Sequence, residues 1–237
     1  MRITNKIPEN WVELQNSVAR IFTECGFDVQ VEKKIKTARG EVEIDVYVID
    51  NTSIPKSVFI CECKNWATSV PQEKVHALHS VVQNSGANFG LLISKNGFQS
   101  GAYGASENTN ISLLKWEEFL EVYKDKWLRN KFRSLCYLFK ELRESISVNR
   151  CRYEEKYKLL SEDDQERCIE LKGYCAGVRS LCNEFMGNIS LLYSRQENEP
   201  RFLSEYSCYE DYFNSIEKDY MEGKNFIQRI FMSDLLE

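Results

Sequence analysis

The sequence predicts two regions: an α/β domain with a mixed sheet and helices on both faces, then an all-α region packed as a helical hairpin or three-helix bundle. Three observations carry this. Helix-type and strand-type periodicities alternate over residues 1–127, in the order α-β-β-β-α-β-α-β. Residues 128–237 instead step their apolar side chains by three and four. Finally, 237 residues that are 43% hydrophobic and 28% charged can bury a core, which excludes a disordered chain or a fibre.

The elements follow in order. Asn10 is placed to cap a first helix, with Glu13 three residues on as in a capping box. Leu14, Val18, Ile21, Phe22 and Cys25 repeat at helical spacing until Gly26 ends the run. Asp28 to Lys36 reads as a strand with a polar face, and Ala38, Arg39 and Gly40 as the turn after it. In EVEIDVYVID, Val42, Ile44, Val46 and Val48 fall on one face of a second strand, and Glu41, Glu43, Asp45 and Tyr47 on the other. SVFICECK is a short, apolar third strand. Pro71 suits the first turn of a helix, where its missing N–H costs little; Val75, Leu78 and Val82 are that helix's buried stripe. FGLLIS, from Phe89, is a fully buried fourth strand. A short helix near Gln99 to Glu107 and a fifth strand, ISLLKW from Ile111, close the domain.

Three long amphipathic helices come next. Their seams are Leu128, Phe132, Leu135, Phe139, Leu142 and Ile146; then Cys168, Leu171, Cys175, Val178, Cys182, Phe185, Ile189 and Leu192; then Tyr206, Tyr209, Phe213, Ile216 and Tyr220. Turns are expected near Ser161 to Asp164 and at Pro200.

Composition narrows the function. The net charge is −5, divided −2 and −3 between the two regions, so the chain is no generally basic nucleic-acid coat. Any contact with nucleic acid needs a local patch. Nine cysteines without a CxxC pair read as reduced thiols of a cytoplasmic protein and not as a secreted disulfide framework. MRITNKIPEN lacks the apolar core of a signal peptide. No run approaches the ~20 apolar residues that span a bilayer, so no membrane association is expected.

The chemistry centres on Asp45 and Glu62-Cys63-Lys64. The pattern E-x-K occurs at Glu32, Glu62, Glu154, Glu170 and Glu222, and alone means little; only Glu62 and Lys64 lie in an apolar strand. Positions two apart share a face, so Ile60, Glu62 and Lys64 point one way and Phe59, Cys61 and Cys63 the other. An acid and an amine at the end of a central strand are costly unless each has a partner. Antiparallel pairing of the second and third strands brings Asp45 beside Glu62. Two carboxylates and a lysine there suit a hard cation: Asp45 and Glu62 as ligands of Mg²⁺, with Mn²⁺ as a substitute, and the Cys63 carbonyl as a third ligand. Such an ion lowers the pKa of bound water and neutralises charge on phosphorus. Lys64 is placed to orient the water or stabilise a pentavalent phosphate. That is the chemistry of phosphodiester hydrolysis.

These residues resemble the PD-(D/E)XK nuclease superfamily, most closely its Mrr-type restriction endonuclease branch, over about residues 8–122. WVELQNSVARIFTECGFDVQ is similar to the family's first helix, with Glu13 at its glutamate. GEVEIDVYV resembles the strand ending in the catalytic aspartate, here Asp45. FICECKNW resembles the (D/E)XK strand, here Glu62 and Lys64. NFGLLISKNGFQSGA and NISLLKWEEF resemble the later strand, helix and strand. The Gly-rich run that often precedes the aspartate is EVE here.

The resemblance implies a restriction-endonuclease-like fold for residues 1–127 and catalytic roles for Asp45, Glu62, Lys64 and Glu13. It implies a Mg²⁺-dependent endonuclease acting on DNA, in bacterial restriction or anti-phage defence. Breaking both strands usually takes two active sites, so residues 128–237 are expected to make a homodimer or to dock a regulatory protein. The alternative is a nucleic-acid-binding scaffold, or a regulated effector subunit with a silent nuclease fold. No family resemblance extends into residues 128–237.

Simpler readings stand beside these. Asp45, Glu62 and Lys64 also read as a surface ion-pair cluster, and Glu13 as a capping residue. Lys33, Lys34, Lys36 and Arg39 read either as a phosphate-tracking edge that binds nucleic acid or as a solvated hairpin. Cys61 and Cys63 fit small buried thiols better than zinc ligands. His76 and His79 have no Cys or Asp at zinc-like spacing. Gln72 and Gln83 suit a solvated helix face, and Trp66 a packing lid more than a base-stacking platform.

Overall fold

Asn10 opens the first helix as its pattern requires: its side chain accepts a hydrogen bond from the Glu13 N–H at 2.9 Å. The computed structural model describes residues 1–38, 40–187 and 205–232. Residues 2–128 form one compact unit, and a second begins at Arg129.

The N-terminal unit runs α1 (Trp11–Glu24), β1 (Asp28–Thr37), β2 (Gly40–Asp50), β3 (Ser57–Lys64), α2 (Gln72–Ser85), β4 (Phe89–Ser94), α3 (Ser100–Ser106) and β5 (Ile111–Lys115). α4 (Trp116–Arg152) follows, and its residues up to Leu128 belong to this unit. The sheet order is β1-β2-β3-β4-β5. β1, β2 and β3 pair antiparallel, whereas β3, β4 and β5 pair parallel. Parallel pairing needs crossovers, and α2 and α3 supply them.

Helices cover both faces, as the pattern predicts. On one, Val75, Leu78 and Val82 of α2 and Ala102 of α3 pack on Ile60, Leu92 and Ile111. Gly90 makes that packing tight: a Cβ there would lie 2.5 Å from Ile111 Cδ1 and 3.0 Å from Val82 Cγ2. On the other face, Phe22 of α1 meets Phe119 and Tyr123 of α4 at ring centroid distances of 5.1 and 4.8 Å. Burying such a side chain stabilises the fold by roughly 1.5–3 kcal/mol.

Three sequence expectations need correction. First, β2 does not keep one apolar face. Ile44, Tyr47 and Ile60 pack in the same cluster, although positions 44 and 47 of a regular strand lie on opposite faces. Val48 pairs with Phe59, whose ring lies 6.1 Å from that of Phe27, between α1 and β1. The reversal falls at Asp45, opposite Glu32 in the register, and Glu32 adopts a left-handed φ of 53°. Second, β4 is buried from Gly90 onward, while Phe89 at its entry is exposed. Third, Trp116 ends no strand but starts α4. The Glu118 carboxylate accepts the Lys115 N–H at 2.8 Å and turns the chain directly into the helix. The buried Trp116 indole donates to the Lys6 carbonyl at 3.2 Å.

The second unit contains the rest of α4, α5 (Glu154–Lys158), α6 (Glu162–Gly187) and α7 (Tyr209–Met232). Phe132 of α4 stacks on Phe185 of α6 at 4.7 Å and meets Phe213 of α7 at 5.0 Å, so the three long helices share one core. Cys168, Cys175 and Cys182 are buried on this seam, as their seven-residue spacing predicts. The expected turn near Ser161 is present, and Ser161 Oγ accepts the Asp164 N–H at 3.2 Å. Tyr206 lies before α7 rather than in it, and its hydroxyl donates to Ser215 Oγ. The buried stripe of α7 extends past Tyr220 to Phe226, Ile227, Ile230 and Phe231. Ile189, Leu192 and Pro200 lie outside the described residues.

β2 ends on a buried acid. Asp50 accepts the Thr52 N–H at 2.8 Å, the Ser53 hydroxyl at 2.7 Å and the Lys126 ammonium at 3.0 Å. Burial alone would raise its pKa, but these bonds together hold the carboxyl well below the usual carboxylate range. A depressed folded pKa gives stability that is full above the unfolded value of ~3.9 and is lost as pH falls. Thermal unfolding of Asp50→Asn at neutral pH should show a loss of about 1–3 kcal/mol. Its stability should also fall less steeply than wild type below roughly pH 5. Matching acid profiles would refute the assignment.

Candidate active site

The β2–β3 ladder ends with the pair Val46↔Cys61, so Asp45 and Glu62 stand at the next register position, where the strands part. A side chain fills the gap: Asp45 Oδ2 accepts the Cys63 backbone N–H at 2.7 Å. A hydrogen bond from the Trp11 side chain also reaches Asp45. Glu62 and Lys64, two apart on β3, form an ion pair. The Lys64 carbonyl accepts the Lys95 N–H at 3.2 Å, which fixes the end of the strand.

Asp45 is half-buried. Burial and the negative charge of Glu62 raise its pKa, against the opposing pull of the Cys63 N–H, the Lys64 ammonium and Trp11. Two carboxylates are therefore held within each other's field, with one ammonium beside them.

The structure brings together Asp45, Glu62, Cys63 and Lys64. It uses Glu13 differently. The Glu13 carboxylate accepts the Glu9 N–H at 3.1 Å and the Asn10 side-chain amide at 3.3 Å, so it closes the helix cap. The α1 side chains turned towards this end of the sheet are Trp11 and Gln15. Gln15 is 2% exposed, and its Nε2 donates to Glu32 Oε1 at 3.3 Å, while its own Oε1 is buried without a partner. Sequence reasoning missed both. The available signal was a glutamine inside the Leu14–Val18 apolar stripe, four residues from a tryptophan on the same helix face.

The Lys33 ammonium sits 3.5 Å from the Tyr47 ring centroid. Lys34 and Lys36 are exposed and make no ion pair among the described residues; Arg39 lies outside them. Burial pushes the Cys61 and Cys63 thiols upward, which keeps them protonated and unsuited to metal. His76 is exposed. Among the described residues, no three His, Cys, Asp or Glu side chains gather as a metal-binding group. Two carboxylates and a nearby carbonyl fit Mg²⁺, which keeps several waters and is held by one or two carboxylates rather than by an all-protein cage. A cation there would offset the burial and the Glu62 charge that raise the Asp45 pKa.

Residues 9–123 match a protein-family model described as "Restriction endonuclease" (Mrr_cat). No curated protein sequence matches the chain. Among solved structures, a protein of unknown function, AF1548, is similar at 15% identity and a TM-score of 0.42, over 76% of this chain and 100% of its own. The DNA modification-dependent restriction endonuclease AspBHI is similar at 10% identity and a TM-score of 0.27, over 52% of this chain and 39% of its own.

A raised folded pKa means that ionised Asp45 opposes folding at neutral pH, and that the cost fades as pH falls through the folded value. Asp45→Asn keeps an acceptor for Cys63 and removes the charge. In buffer free of divalent ions it should raise stability by about 1 kcal/mol. A lower melting temperature for the variant would contradict this.

Proposed function

We propose, from the match of residues 9–123 to the Mrr_cat restriction endonuclease family model, that the chain is a Mg²⁺-dependent endonuclease that hydrolyses DNA phosphodiester bonds. One observation carries the reading: Asp45 is fixed on the Cys63 N–H with its charge set against Glu62, and Lys64 lies alongside. Asp45, Glu62 and the Cys63 carbonyl would hold the ion, which supplies an acidified water and charge neutralisation at phosphorus. The Cys63 N–H and Trp11 orient the Asp45 carboxylate. Lys64 steadies the attacking water or the charge growing on phosphate oxygens. Lys34 and Lys36, exposed on β1, offer the DNA backbone a cationic edge, and Lys33 extends it.

The setting is bacterial restriction or anti-phage defence in the cytoplasm. All nine cysteines are free, which agrees with a reducing compartment. No described helix is long and apolar enough to cross a membrane. The helices from residue 129 onward are assigned to homodimer formation or to a regulatory partner. The Glu62–Lys64 ion pair favours a second reading, in which the fold binds nucleic acid without cutting or waits for a trigger.

Purified protein with supercoiled plasmid and Mg²⁺ or Mn²⁺ should nick and linearise the DNA, and a chelator should stop it. Asp45→Ala and Lys64→Ala should each lower cleavage by roughly 10²–10³-fold. Undiminished cutting by either variant would refute the site, and binding without cutting by wild type would favour the scaffold. Light scattering of the full chain should give twice the monomer mass; a monomeric value sinks the dimer version.

A further inference from the structure

We propose that Trp66, with Lys74 beside it, is a platform on which the site receives an unpaired nucleobase, the flanking phosphate lying against the neighbouring ammonium groups. This rests on the reading of Asp45, Glu62 and Lys64 as a nuclease site.

The four tryptophans differ in one respect. The indole of Trp116 donates to the Lys6 carbonyl and that of Trp127 to the Glu24 carboxylate, and the Trp11 side chain bonds Asp45. The Trp66 indole N–H has no partner among the described residues, and the residue is 38% exposed. A packing lid would bury the ring and engage its N–H. Trp66 does neither, yet its backbone is anchored: the Asn96 side-chain amide donates to the Trp66 carbonyl. The ring is thus presented to solvent from a fixed position.

That position is two residues beyond Lys64, at the carboxyl end of β3, where open α/β sheets receive ligands. The Lys64 and Lys74 ammonium groups lie 6.0 and 5.7 Å from the Trp66 ring centroid. Lys74 makes no ion pair among the described residues. Two cations close to one exposed aromatic ring suit a ligand that is itself a flat ring attached to an anion. A nucleotide within a strand has that form, with the base stacking on indole and the phosphate meeting ammonium. Next to Trp66, Asn65 Nδ2 is buried without a hydrogen-bond partner among the described residues. A paired base is stacked within its duplex, so the ligand is an unpaired or extruded base.

The test measures binding of the full chain, in chelator so that nothing is cut, to a short single-stranded oligothymidylate and to the same backbone made abasic. Wild type should prefer the base-bearing strand by roughly ten- to a hundred-fold. Trp66→Ala should lose that preference and bind both strands alike, whereas Trp66→Phe should keep most of it. Lys74→Ala should weaken both strands together and reduce the salt slope by about one. Equal binding of the two strands by wild type, or an intact preference in Trp66→Ala, overturns the platform. A chain that cuts plasmid yet shows no base preference loses this inference alone. One that keeps a Trp66-dependent preference but never cuts with Mg²⁺ loses the nuclease reading alone.

Discussion

The buried N–H of Cys63 needs an acceptor, and the strand that should provide one has already turned away. β2 leaves β3 after the Val46↔Cys61 pair, and Asp45 substitutes a carboxylate oxygen for the missing carbonyl. An unsatisfied buried donor costs about 1–3 kcal/mol, enough to hold the Asp45 side chain in place. The same bond leaves that carboxylate half-buried and facing the charge of Glu62, and burial and repulsion together raise its pKa. Backbone satisfaction therefore creates an acidic pair that favours protons or cations. The proposed chemistry is a consequence of how one strand ladder ends.

The rest of the N-terminal unit keeps that ending in register. The five-stranded sheet is clamped between α2 and α3 on one face and α1 and the start of α4 on the other. The left-handed Glu32 opposite Asp45 marks the point where β2 changes face, an uncommon backbone state for a residue with a side chain. Gln15 reaches Glu32 from α1, and Trp11 reaches Asp45, so one helix touches both sides of the irregularity. The second unit has its own aromatic core around Phe132 and Phe213.

Much of this was legible from the residues. Periods of two and of three to four produced the elements from α1 to β5 in order, because each apolar face had one place to be buried. An acid and an amine inside the apolar strand SVFICECK marked the candidate site for the same reason: charge does not sit there without partners. Glu13 shows the limit of such signals, since a capping glutamate and a catalytic one look identical until the carboxylate is seen closing on Glu9 and Asn10. The face reversal at Asp45 was hidden because no residue type there announces a left-handed backbone. The Trp11 contact is tertiary and has no local pattern. The direct passage from β5 into α4 was missed because neither glycine nor proline marks it; the Glu118 carboxylate makes the turn instead.

Cation uptake measured by titration calorimetry on the full chain tests the central claim most directly. Wild type should take up Mg²⁺ or Mn²⁺ with measurable heat. Asp45→Asn and Glu62→Gln, each confirmed to be folded, should lose that uptake. No uptake by wild type at saturating metal, or the same uptake in both variants, would contradict the account.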